Sequence, residues 1–179
     1  MTDHILVPLD GSGVAEAALA HAAALAKLLG ARITLARVPE TMIVPVADGG
    51  AWLTQTMESD EARRRADEYL RAVARQPTLH GLAVDCVTPA YPVVAGLFSA
   101  VEELGVDLVI MTSHGHTGAA RWVFGGVAHK MVRGSPVPVY VLRAPRRDDG
   151  EGHAPPPPPP AFKTIVVPLD GSQLAESAL

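Results

Sequence analysis

The chain has 179 residues and a mass of 18.8 kDa, enough for one ordinary domain and a remainder but not for two full domains. Hydrophobic residues make up 48%, charged residues 19% and aromatics 4%, which excludes a wholly disordered chain and calls for an aliphatic core. With 15 Lys and Arg against 19 Asp and Glu, the formal net charge is -4, so no global positive field draws the chain to nucleic acid or anionic lipid.

Cys86 is the only cysteine and precludes a disulfide within the chain. The first apolar run is broken by Pro8 and Asp10 before it reaches a secretory or membrane-spanning length, so a protein of the reducing cytoplasm is expected, with no membrane partner.

In chain order, His4 to Leu9 reads as a buried strand and Val14 to Leu29, rich in Ala and Leu, as a helix closed by Gly30. Ile33 to Val38 is a second strand. An irregular passage containing Pro39, Pro45, Gly49 and Gly50 follows. Residues 56–75 place Ala62, Ala66, Tyr69, Leu70 and Val73 on one face of a surface helix. Leu82 to Val87 is a third strand. Pro92 opens a helix carrying Val94, Leu97, Phe98, Val101 and Leu104, which ends before Gly105. Asp107 to Met111 is a fourth strand, about Trp122 to Val132 a helix, and Val137 to Leu142 a fifth strand. Alternating strands and helices require crossover connections. The expected fold is therefore α/β, a five-stranded parallel doubly wound sheet of Rossmann-like type.

Beyond this domain, residues 1–145, the chain repeats itself. Residues 164–179 match residues 4–19 at 11 of 16 positions, an offset of 160 that implies tandem duplication of a domain. Residues 146–161 run from a charge cluster into six prolines, Pro155 to Pro160, and read as a semi-rigid linker; residues 162–179 read as the start of a second copy. An isolated strand and half a helix cannot bury their apolar residues. Ile165 to Leu169 is expected either to add to a sheet edge or exchange between subunits, or else to remain a free tail.

In an open parallel sheet, ligands bind beyond the carboxyl ends of the strands, where strand order reverses. Pro8, Asp10, Gly11 and Ser12 lie at the end of the first strand, Val38 at the end of the second, and Met111 and Thr112 at the end of the fourth. The segment Thr112 to Val127 contains Gly115, Gly118, Gly125 and Gly126 and leads into a helix N-terminus. Such a segment can cradle an anion through backbone N–H groups, or its glycines can serve turns and close packing alone. Asp10 suits Mg²⁺ as a hard oxygen ligand, but is equally suited to a helix N-terminus capped by Ser12. His114 and His116 lack a third ligand for a transition-metal site. The chain has no P-loop, no six-residue dinucleotide fingerprint, no nucleophile elbow and no evident catalytic base, so an enzyme is not expected.

Three segments carry a resemblance: Val7-Pro8-Leu9-Asp10-Gly11-Ser12, the run Asp107 to Gly115, and the run Gly125 to Leu142. Together they resemble the universal stress protein family over residues 4–143. ATP-binding members show Gly-x-x-Gly, nine residues, then Gly followed by Ser or Thr. Here Thr112 replaces the first Gly, Gly115 and Gly125 match, and Gly126 replaces the hydroxyl residue while keeping its N–H. The resemblance implies an ATP-binding regulatory module of the stress response. Asp10 would lie near the ribose or the nucleotide's Mg²⁺, Val38 would flank adenine, and Gly115, His116, Gly125, Gly126 and Val127 would surround the phosphates. It also implies a homodimer through Val137 to Leu142 and a regulatory protein partner, with nucleotide ordering the Thr112 to Gly118 loop. The alternative is a member that binds no nucleotide and serves as an association module, with Thr112 and Gly126 as the marks of lost binding.

Overall fold

The computed structural model describes residues 2–48, 51–113 and 125–143, together with 164, 166 and 167. The linker, almost all of the second copy, and the segment 114–124 with Gly115, His116 and Gly118 lie outside the described residues.

Five strands, β1 (His4–Pro8), β2 (Arg32–Ala36), β5 (Val84–Val87), β6 (Leu108–Thr112) and β7 (Val139–Leu142), form an all-parallel sheet in the order β5-β2-β1-β6-β7. The expected doubly wound α/β sheet is present. The central strands β1, β2 and β6 are buried on both faces, and their alternation supplies two cores. Ile5, Val7, Ile33, Leu35 and Ile110 face one side, with Leu70, Val73 and the alanines of α2 (Ala18–Leu29). Leu6, Ala36, Val109 and Met111 face the other, with Leu97 and Val101 of α4 (Val93–Leu104) and Met131 of α5 (Gly126–Gly134). Many of these side chains have no exposed surface at all, and burial of such aliphatic groups is the main stabilising term.

The structure corrects several boundaries. The long first helix is two segments, α1 (Gly13–Glu16) and α2, which meet at Ala17, whose N–H bonds to Val14 O in a tight turn. The passage read as irregular is a β-hairpin, β3 (Thr41–Asp48) paired antiparallel with β4 (Ala51–Glu58). The sequence signal was two strand-forming runs separated by Gly49-Gly50, with Pro45 masking the first run. For the same reason the next helix, α3 (Asp60–Ala74), starts at Asp60 and not at 56. Ser59 caps it through a bond from Ala62 N to its Oγ (3.0 Å), and Asp60 and Glu61 sit in its first turn. The second, third and fifth strands are also shorter than expected, and α5 begins at Gly126 among the described residues.

Strand order reverses between β1 and β6. The segment following β1 leads to β2 on one side, whereas β6 lies on the other side of β1. The carboxyl ends of these two strands therefore diverge and open a crevice.

Candidate functional site

A cleft of about 160 Å³ occupies that crevice. Pro8 and Leu9 line it at the end of β1, with exposed Asp10 at its mouth and Ala15 of α1 beside them. Towards β2 the wall is wholly apolar: Ala36 and Val38 from the strand end, and Val93 and Leu97 from the first turns of α4. Towards β6 it becomes polar, with Met111 followed by Thr112 and Ser113, and then Gly126, Val127 and Ala128 at the start of α5. The apolar wall suits the face of a flat ring, whereas the other end carries the polar residues Thr112 and Ser113 and the amino end of a helix.

The character of that helix end follows from its sequence. Gly125 stands at the N-cap and supplies no side-chain acceptor, and no acidic residue sits in the first turn of α5. The first amides of α5 thus lack the side-chain cap that Ser12 gives α1 and Ser59 gives α3. Gly125 itself is committed, since its N–H donates to Ser113 O at 2.8 Å, pinning the two ends of the intervening segment together.

Asp10 is held by its own turn. Its Oδ1 accepts from Ser12 N (2.9 Å) and from Ser12 Oγ (2.6 Å), and Ser12 Oγ in turn accepts from Ala15 N (3.1 Å). Ser12 therefore both caps α1 and fixes the carboxylate at the mouth of the cleft. Gly11 adopts φ +89°, a left-handed conformation open to glycine, and lies against the Arg37 side chain.

Of the residues singled out from sequence, the structure brings Pro8, Asp10, Val38, Met111, Thr112, Gly126 and Val127 together on the cleft wall. Gly11, Ser12 and Gly125 stand behind it and shape the turn and the helix start. Gly115, His116 and Gly118 lie outside the described residues. Sequence reasoning missed Ala36, Val93 and Leu97, whose apolar periodicity looked like core, and also Ala15 and Ala128. Leu9 and Ser113 were legible from position alone, since each adjoins a strand's carboxyl end. No group of three His, Cys, Asp or Glu side chains suited to a metal occurs among the described residues.

Residues 1–143 match the family model described as the universal stress protein family. The chain belongs to that family. A relative, the universal stress protein MJ0531 of Methanocaldococcus jannaschii, is 26% identical over 149 residues, covering 80% of this chain and 84% of its own. Among solved structures, a universal stress protein from Burkholderia pseudomallei superposes with a TM-score of 0.59 at 26% identity, covering 79% of this chain and 96% of that one. A universal stress protein from Archaeoglobus fulgidus, solved in complex with dAMP, gives 0.54 at 17% identity, covering 80% and 98%. The family match ends at residue 143, short of the repeat at 164–179. No described helix of this universal stress protein is long and apolar enough to cross a membrane.

Proposed function

We propose that this universal stress protein is a regulatory module of the cytoplasm that binds an adenine nucleotide, as Mg-ATP, in the cleft between β1 and β6. The observation that carries the reading is the polarity of the cleft: an apolar part of the lining at Val38, Val93 and Leu97 and, on the same lining, the start of α5, which has no side-chain cap. A base fits the first and a phosphate the second. The family relative with bound dAMP supports the adenine class. Asp10 is the carboxylate that would meet the nucleotide's Mg²⁺. One carboxylate with phosphate oxygens is a common way to hold that ion, and the ion's positive charge would offset phosphate charge. Asp10, the one carboxylate on the described cleft wall, is given to the ion, so binding rather than turnover is the proposed activity.

Titration calorimetry with Mg-ATP, Mg-ADP and Mg-GTP tests this. The expected result is saturable 1:1 binding of the adenine nucleotides, together with a rise in Tm that grows with ligand concentration. Gly115→Val, at the glycine that the family resemblance sets beside the phosphates, should abolish it. A flat titration, with no nucleotide released from the purified protein on denaturation, would sink the reading.

A second reading, an association module without nucleotide, is favoured by one observation: the Gly125 amide is already spent on Ser113 O. Either module would pair through β7, which among the described residues has β6 as its one neighbour and leaves an edge for a second copy, making a homodimer through Val137 to Leu142. Light scattering of the intact protein, compared with a variant carrying Val139→Pro, tests the pairing. The segment 162–179 is proposed as the beginning of a second tandem copy.

A further inference from the structure

Arg37, one residue past β2, was not among the candidate site residues, and its surroundings are unusual for a surface arginine. Its side chain is only 18% exposed. The guanidinium lies against the Gly11 backbone so closely that a Cβ there would sit 3.0 Å from Nη2, 3.1 Å from Cζ and 3.1 Å from Nη1. Such near-equal distances mean that the flat face of the guanidinium covers Gly11. On another side its Cζ stands 4.6 Å from the centre of the Tyr69 ring, a cation–π contact. Tyr69 is itself anchored, donating from its hydroxyl to Glu16 Oε1 (2.9 Å), while Gln76 Nε2 donates to Glu16 Oε2 (2.9 Å). Burial and the Glu16 carboxylate push the Tyr69 phenol well above its ordinary range, so it remains a donor. The ion pair with Glu40 is long, at 3.8 Å, and Glu40 is 86% exposed, so it contributes little.

Arg37 thus sits between an anchored ring and the turn that presents Asp10. We propose that Arg37 is a positioning residue of the cleft: held by Gly11 and Tyr69, its guanidinium fixes the Asp10–Ser12 turn and thereby sets the affinity for the Mg-bound phosphate end of the nucleotide. This rests on the nucleotide reading given above. The group needed is planar as well as charged, because the packing is face-on, and Lys offers a point charge without the plane.

The test compares Arg37→Ala and Arg37→Lys in the wild-type and Asp10→Asn backgrounds. Calorimetry with Mg-ATP and exchange of the Ser12 amide, which donates to Asp10 Oδ1, are the two readouts. Both substitutions should weaken Mg-ATP by roughly tenfold in the wild-type background and by less than about threefold when Asp10 is already Asn. Ser12 exchange should quicken roughly tenfold while α4 amides hold their rates. Affinity within about twofold of wild type in both variants, rescue by Lys, or an equal loss in the Asp10→Asn background would overturn the proposal. If Arg37→Ala does not fold, Arg37→Lys, which keeps the buried charge and stem, decides alone. If the wild-type protein binds no nucleotide, the cleft reading fails by itself. Ser12 exchange then decides the positioning: quickened exchange sustains it and unchanged exchange removes it.

Discussion

The two ends of the parallel sheet use polar residues in opposite ways. At the amino end, the bonds close on one another. His4, the first residue of β1, is buried and spans from Leu104 O, which is 3.1 Å from Nδ1, to Thr34 Oγ1, 2.7 Å from Nε2. Asp107 Oδ2 accepts from Asp3 N (2.8 Å) and His4 N (3.0 Å), joining β1 to the start of β6. At the carboxyl end, α5 starts without a side-chain cap on the wall of a cleft. Satisfied polar groups hold a fold together, whereas a helix start that has no side-chain cap among the described residues and lies on a cleft wall is suited to something that arrives from solution. On the proposed reading, the amino end serves stability and the carboxyl end recognition.

The largest expected effect would break the carboxyl end by steric means. A Cβ on Gly96 would collide with Ala90 O, with Pro89 Cβ also at 3.2 Å, so α4 can lie where it does only with glycine at this position. Val93 and Leu97, on the same stretch of helix, line the cleft. Gly96→Ala should cost about 3 kcal/mol in denaturant unfolding and weaken nucleotide binding as the apolar wall moves. A loss below about 1 kcal/mol would show that the 89–92 segment yields readily.

At the amino end the lever is pH. His4 titrates below its ordinary value of 6.5, first because burial disfavours the charged ring and then because Arg32 lies near. The unfolded chain therefore takes up a proton that the folded chain resists. The stability from neutral His4 is complete above about pH 6.5 and is lost as pH falls towards the lower folded value. His21, buried on α2 with Nδ1 3.2 Å from the Tyr140 hydroxyl, is shifted the same way by burial and acts in the same window. Melting scans from pH 8 to pH 5 should show a falling Tm. His4→Ala should lower stability by about 2 kcal/mol at neutral pH and flatten part of that slope, with nucleotide affinity unchanged at pH 8. A parallel loss of affinity would mean that the two ends are coupled.

How much of this was legible follows from where each signal lies. The parallel sheet was readable because β1, β2 and β6 are nearly unbroken aliphatic runs, each bounded by residues that stop a strand. The β3–β4 hairpin was not, because Pro45 interrupts its alternation and Gly49-Gly50 looks like loop. In the cleft, Asp10, Val38 and Thr112 could be placed because strand ends are sequence positions. Val93 and Leu97 could not, since an apolar helical stripe looks the same whether it faces core or crevice. Arg37 was hidden for a related reason: only the fold brings it against Gly11 and Tyr69, which lie 26 and 32 residues away in the chain.

A finer test gives the start of α5 the chemistry of α3. Asp60 and Glu61 occupy the first turn of α3, where negative charge complements the helix dipole. Val127 holds the equivalent region of α5 and is 36% exposed. Val127→Asp should leave stability level or raise it by about 0.5 kcal/mol, yet weaken Mg-ATP tenfold or more, because its carboxylate occupies the place proposed for phosphate. Thermal melts and calorimetry on the same sample separate the two. If both stability and affinity rose, phosphate would have to bind elsewhere.

The smallest contrast is the most discriminating, because it holds the chemistry constant. Ser12 and Ser59 are both N-caps whose Oγ accepts from the amide three residues on, at 3.1 and 3.0 Å. Replacing either by Ala should cost about 1 kcal/mol in stability. Only Ser12 also donates from its hydroxyl to Asp10 Oδ1, at 2.6 Å, so Ser12→Ala releases that restraint on the carboxylate while Ser59→Ala touches nothing in the cleft. Equal losses in Tm with a drop in Mg-ATP affinity of about threefold for Ser12→Ala alone would separate a cap that only stabilises from one that also aims a ligand. Equal affinities would reduce Ser12 to a cap like Ser59, leaving Asp10 held by the backbone of its turn.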